Sequence, residues 1–256
     1  MNDKEFSKKM YNSTEKENDL FPINAAKEIA LRYKFALKYS KNKNILEIGP
    51  GTGYGSKKLI YSSNKYIGVE YSHLNTIQFK NMYPSIEIHN IDFLNFNINE
   101  KIKIDCIVSM ANIYYFDFNK YLIKINQILH KNGELIFCTT NKCFPNFRPA
   151  KYSTSYFSLE EIKSILECND YTVKFYGVFK AKKSQLIKNY IKRSIKNILL
   201  FFFNEVSIKS LKKIIRDLVP LPKNIEDIDI SNESIIEIDT DKESKNYLII
   251  YCVARK

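Results

Sequence analysis

The stretch NILEIGPGTGYGS, Asn44 to Ser56, sets four of the chain's seven glycines at alternate positions directly behind an apolar run. Glycines so spaced let a backbone turn tightly and approach a ligand with no Cβ atoms in the way. A carboxylate, Glu47, stands inside the run just before them, and a second, Glu70, ends the next apolar run, YIGVE. NILEI reads as a short buried strand and YGSKKLIY as the opening of a helix. Strand, glycine turn and helix together form the cradle in which α/β folds hold nucleotides.

The elements around this cradle follow the same logic. Strand patterns fall at 44–48, 65–70, 85–91, 103–109 and 133–140, and helical patterns at 24–39, 54–62, 73–82, 119–130 and 158–168. Such alternation predicts a parallel sheet covered on both faces. YTVKFYGVF (171–179) and YLIIYCVARK (247–256) are two further strands, expected to form a final antiparallel hairpin interrupted by an insertion at about 182–244. Within the insertion, Leu186, Ile187, Tyr190, Ile191, Ile195, Ile198, Leu199 and Phe202 form one helical stripe, and Ile208, Leu211, Ile215 and Leu218 another. Residues 224–243 then turn acidic. Residues 1–23 are polar and lack periodicity, so they are expected as a flexible segment, either disordered or folded over a bound ligand, ahead of one domain spanning 24–256.

Composition bounds the function. The 256 residues are 45% hydrophobic and 27% charged, as in an ordinary globular chain. The net charge of +12 reflects either an anionic partner or lysine enrichment from codon usage. The basic helical stripes read either as a helical cap with solvated lysines or as a substrate lid that meets an anionic surface such as a membrane. Cys106, Cys138 and Cys252 sit in apolar runs, while Cys143 and Cys168 complete an odd, patternless set. That usage implies a reducing compartment and no disulfide framework. No apolar run approaches a membrane span and MNDKEFSKKMYNS is not a secretory signal, so a cytoplasmic location is expected. No metal site is expected.

The loop itself narrows the nucleotide. The dinucleotide pattern G-x-G-x-x-G fails because Tyr54 and Ser56 stand at the third-glycine positions, and no G-K-[ST] follows to grip a phosphate. What fits is E-x-G-x-G-x-G, formed by Glu47, Gly49, Gly51 and Gly53, which resembles motif I of class I S-adenosylmethionine (SAM)-dependent methyltransferases. The resemblance implies a Rossmann-like fold with a mainly parallel seven-stranded sheet, and SAM as cofactor. Glu70 lies about twenty residues past the loop, where a carboxylate can bind both ribose hydroxyls. IEIHNIDFLNF (86–96) places Asp92 at the family's carboxylate near the adenine amino group, with the Phe93 amide beside it. IDCIVSMANIYYF (104–116) matches the fourth strand and the loop facing the transferred methyl group, and INQILHKNGELIFCTTN (125–141) the following turn and fifth strand, with Asn132 replacing one glycine. On this resemblance the cofactor-binding set is Glu47, Gly49, Gly51, Gly53, Glu70, Tyr71, Asp92, Phe93 and Ser109.

A narrower likeness runs through EIALRYKFALKYSKNKNILEIGPGTGYGS, similar to a bacterial subgroup that accompanies glycosyltransferases in surface-polysaccharide and natural-product pathways. It implies O-methylation of a sugar, glycan or other small hydroxylated metabolite, and places Arg32 and Tyr33 beside the SAM pocket. Where the subgroup carries Glu-His after the fourth strand, this chain has Tyr114 and Tyr115. His73, His89 and His130 fall at a helix start, in the third-strand region and at a helix end, so no histidine base is named. Asn112, Tyr114 and Tyr115 are the candidates for orienting an acceptor. An RNA adenine methyltransferase is the alternative reading, but SMANIYYF lacks the proline of that family's base-gripping motif. A catalytically silent SAM-binding protein is the third.

Overall fold

The computed structural model describes residues 5, 8, 14–16, 20–99, 101–145, 147–150, 152–181, 218–240 and 244–256. Four apolar runs form the parallel strands β2 (Asn44–Ile48), β3 (Lys65–Glu70), β5 (Ile104–Met110) and β6 (Leu129–Thr140), and the short, mostly polar β4 (Glu87–Asn90) adds the edge, in the order β4-β3-β2-β5-β6. The central strands are largely apolar because both faces are covered. β10 (Tyr247–Arg255) then inserts antiparallel between β6 and β7 (Thr172–Lys180), so the interrupted hairpin forms as its two apolar patterns predict.

The sheet has eight strands where seven were expected. The extra one, β9 (Ile236–Ile238), pairs with the outer edge of β7 and occupies backbone groups that would otherwise be open to another chain. Three residues are too few to carry a periodic signal, so the sequence pattern missed it.

Alternate side chains of each strand feed two cores. Ile249, Tyr251 and Val253 pack with residues of α1 (Ile23–Ser40), α2 (Lys57–Ser62) and α3 (His73–Met82), including Leu31, Leu59 and Phe79. Ile250, Cys252 and Ala254 pack with α4 (Phe118–Ile128) and α5 (Leu159–Glu167). Ser72 caps α3, and Ser158 and Glu161 close a reciprocal capping box on α5. α2 begins at Lys57 rather than Tyr54, because Gly53 donates to Pro50 and Ser56 to Gly53 in consecutive turns first. β6 begins at Leu129, so His130 lies in a strand and not at a helix end; Asn132 takes a left-handed φ of 67° within it. All five cysteines are free.

Outside the sheet, β8 (Leu218–Pro220) pairs antiparallel with β1 (Leu20–Pro22), which draws the end of the expected flexible segment into ordered structure. The rest of 220–240 is short turns, a single 3₁₀ turn at Ile225–Asp227 and β9, with no α-helix. It docks on α1 and the glycine loop through a small core of Ala26, Ile29, Tyr54, Leu221 and Ile225, and through the pair Lys27–Glu233 at 2.8 Å. The basic stripes expected between residues 186 and 218 lie outside the described residues except for Leu218, which begins β8 rather than ending a helix.

At the opposite end of the sheet Glu134, only 3% exposed, joins β6 to its neighbours. It accepts from Lys43, which precedes β2, and from Arg255 Nε at 3.2 Å on β10. Burial pushes the Glu134 carboxyl up, and the hydrogen bonds from Lys43 and Arg255 more than offset it, so it is held below the usual carboxylate range. Because the folded value is depressed, its stabilisation is present above the unfolded value of about 4.3 and is lost as pH falls through the folded one. Glu134→Gln is expected to cost about 1–2 kcal/mol at pH 7, since both cations can turn to solvent. In urea titrations that difference shrinks below about pH 4.

Candidate cofactor site

β2 lies between β3 and β5, and their following connections diverge, opening a crevice at the carboxyl ends of the strands. A cavity of about 340 Å³ occupies it, within the range of small-ligand sites. Gly49 and Gly51 both line it with left-handed φ values of 67° and 61°. The Gly49 N–H donates to the Val69 carbonyl at 2.8 Å, and the Gly51 N–H to the Glu70 carboxylate at 2.9 Å. Glu70 also accepts from the Ser72 N–H at 2.7 Å and Asn75 Nδ2 at 3.4 Å. Burial raises its pKa, and the donors from Ser72, Gly51 and Asn75 pull back toward the ionised form. The Tyr71 backbone N–H is a fourth donor to the carboxylate, so with about four lone-pair sites a further donor would replace one of these, the long Asn75 contact first.

Of the remaining expected residues, Tyr71, Asp92 and Phe93 line the cavity, and Asp92 also caps the turn at Phe93–Asn95 by accepting from the Leu94 N–H at 2.9 Å. Glu47, Gly53 and Ser109 do not line it. Strand alternation turns Glu47 away from the crevice and under α1, where it accepts from the Tyr66 hydroxyl at 2.6 Å and the Tyr33 hydroxyl at 3.1 Å. Burial and the Glu47 charge hold both phenols well above their ordinary pKa, so they act as donors. Tyr33 reaches Glu47 across Gly55: a Cβ there would lie inside its ring. The fourth glycine of the loop therefore serves the packing of α1, and Gly53 the packing of Phe79 and Tyr83.

The connection after β5 forms the other wall. Asn112 accepts from the Ser109 hydroxyl and donates to the Ile48 carbonyl, strapping the end of β5 to the end of β2. Its amide is thus used at both ends, and Ser109 acts through it. Tyr114 and Tyr115 line the cavity, with Tyr114 stacked on Tyr156 at 4.8 Å. Burial raises both phenols, Tyr114 strongly, so they remain protonated and can donate but not take a proton near neutral pH. None of the three histidines lines the cavity; His73 pairs with Asn90 and His89 with Glu87.

Sequence reasoning missed Thr14, Glu15 and Asn75, which also line the cavity. Thr14 and Glu15 lie in a polar stretch with no periodicity, and Asn75, buried beside Thr76, is a polar residue on the inner face of a helix. Arg32, on α1, lines the cavity as the narrower likeness implies and pairs with Glu28 and Glu15. Burial works against its charge, and those carboxylates outweigh it, leaving the guanidinium charged. Among the described residues no group of His, Cys, Asp and Glu is placed to hold a metal ion, and no helix is long and apolar enough to cross a membrane.

Strand order, crevice and glycine loop define the Rossmann-like fold of class I SAM-dependent methyltransferases. Solved structures share it: a SAM-dependent methyltransferase from Archaeoglobus fulgidus (14% identity, TM-score 0.57, covering 90% of this chain and 94% of that one) and a possible histamine N-methyltransferase from Thermotoga maritima (16% identity, TM-score 0.58, covering 91% of each). Residues 23–199 match the methyltransferase domain family, and the chain belongs to it. An uncharacterized methyltransferase of Bacillus mycoides is 31% identical over 121 residues, 44% of this chain and 56% of that protein. The chain spans about half the length of the curated relatives it matches.

The placement of Glu47 yields a testable contrast. Glu47→Ala strips the partner from two buried phenols and is expected to destabilise the protein by about 1–3 kcal/mol in chemical denaturation. Glu47→Gln, which still accepts from one of them, is expected to recover part of that loss.

Proposed function

We propose that this protein is a SAM-dependent methyltransferase that O-methylates a sugar, glycan or other small hydroxylated metabolite. The observation that carries the cofactor assignment is the meeting of the bare Gly51 backbone and the buried Glu70 carboxylate in a crevice without a phosphate-gripping lysine. The residues fit such a ligand: a side chain at position 51 would project into the cavity, and a ribose hydroxyl would replace the long 3.4 Å Asn75 contact on the Glu70 carboxylate. When bound, SAM supplies a methyl group already activated by its sulfonium.

The chain's own contribution is then placement. The Gly49–Thr52 backbone gives close passage, Glu70 accepts from the ribose, and Asp92 with Phe93 borders the base. The Asn112 strap fixes the wall against which an acceptor would lie. Tyr114 and Tyr115 offer protonated hydroxyls to a polyhydroxylated acceptor, consistent with the sugar reading. Alignment of this kind is worth up to about 7–11 kcal/mol in well-oriented systems, which suits a site whose phenols cannot serve as bases.

Isothermal calorimetry with S-adenosylhomocysteine tests the cofactor half. Glu70→Ala is expected to weaken binding by about 1.5–3 kcal/mol, Asp92→Ala by less, and Gly51→Val to abolish it. Unchanged affinity in Gly51→Val would remove the assignment. For the acceptor, labelled methyl from SAM is expected in a pool of sugars, nucleotide sugars and glycans. Label appearing in RNA or protein instead would overturn the hydroxyl-metabolite reading.

A further inference from the structure

Thr14 and Glu15 stand inside the crevice on the groups a nucleoside amino acid would use. The Thr14 methyl carbon lies 2.5 Å from the point where a Cβ on Gly51 would project. Its hydroxyl accepts from Asn75 Nδ2 at 3.0 Å, the amide that also reaches Glu70. The Glu15 carbonyl accepts from the Thr52 hydroxyl at 2.9 Å, and its carboxylate from Arg32 Nη1 at 3.2 Å. Arg32 has a second partner, Glu28, one turn back on its own helix, which takes the other Nη. One arm of the guanidinium is therefore held within α1, and the other, among the described residues, by the N-terminal segment.

We propose that Thr14 and Glu15 act as a built-in competitor for the cofactor. The Glu15 carboxylate stands in for the carboxylate of the cofactor's amino-acid end on Arg32, Thr14 covers the face of Gly51, and cofactor entry displaces both. This rests on the SAM reading above. The exchange is carboxylate for carboxylate, so the guanidinium, whose side chain is only 15% exposed, is not left facing the protein interior unpaired. Glu15, 30% exposed, returns to water at little cost. Apparent affinity falls by the fraction of molecules in which the crevice is open, so loosening the segment tightens binding.

Calorimetry on the full chain separates this from its alternatives. Two probes are used: S-adenosylhomocysteine, which carries the amino-acid end, and 5′-methylthioadenosine, which lacks it. Glu15→Gln is expected to tighten S-adenosylhomocysteine by about three- to tenfold and to leave 5′-methylthioadenosine within about twofold. Thr14→Gly is expected to tighten both. Equal or weaker S-adenosylhomocysteine binding by a folded Glu15→Gln would overturn the proposal, because the segment would then be part of the bound site. A wild-type protein that binds neither probe would sink the SAM reading, and the proposal with it. A second measurement needs no variant: saturating S-adenosylhomocysteine is expected to speed tryptic cleavage after Lys16, and unchanged or slower cleavage would contradict displacement.

Discussion

The 2.9 Å hydrogen bond from the Gly51 N–H to the Glu70 carboxylate is the joint on which the crevice depends. It ties the turn after β2 to the last residue of β3, so the loop and the adjoining strand end move as one wall. The bond needs a left-handed backbone at position 51, which glycine adopts without strain, and a carboxylate whose burial is compensated by several N–H donors. The opposite wall is fixed by the Asn112 strap between β5 and β2. Two polar cross-links thus set the crevice, while the apolar cores below hold the strands that carry them.

The two buried carboxylates of this region divide labour by the side of β2 on which they fall. Glu70 meets backbone and amide N–H groups at the crevice. Glu47 meets two phenols under α1, on the face shared with Ile45. Burial raises both pKa values, and hydrogen bonding opposes the rise in each. Removal from water costs a charge dearly unless donors replace the lost hydration. Each carboxylate has at least two, so the sheet tolerates both close to one loop.

The segments outside the sheet converge on the same loop. Tyr54, within it, donates to the Pro222 carbonyl at 2.7 Å, and Leu221 and Ile225 pack against Ala26 and Ile29 of α1. The β1–β8 pair brings Leu20–Pro22 to this cluster, just after Thr14 and Glu15 enter the crevice. Chain ahead of the domain and chain returning toward the last strand therefore both lean on α1 and the glycine loop that border the crevice. This coupling gives the N-terminal segment a physical route to influence ligand entry.

The sequence alone determined what depends on short-range order. Continuous apolar runs and period 3.6 located the parallel strands, the antiparallel final pair and the helices flanking them, because each pattern reports which residues must leave water. The alternate glycines and the spacing to Glu70 and Asp92 located the crevice, since backbone conformation at a strand end is a local property. Only the tertiary structure decided the partners. Thr14 meets Asn75, 61 positions away, and Glu15 meets Thr52, 37 positions away, and neither contact leaves a trace in local pattern. The same holds for Glu47: its motif resembles a cofactor residue, and only the tertiary structure places Tyr33, passing over Gly55, and Tyr66 against its carboxylate. Periodicity says that a face is buried; what lies against that face is settled by which elements fold onto it.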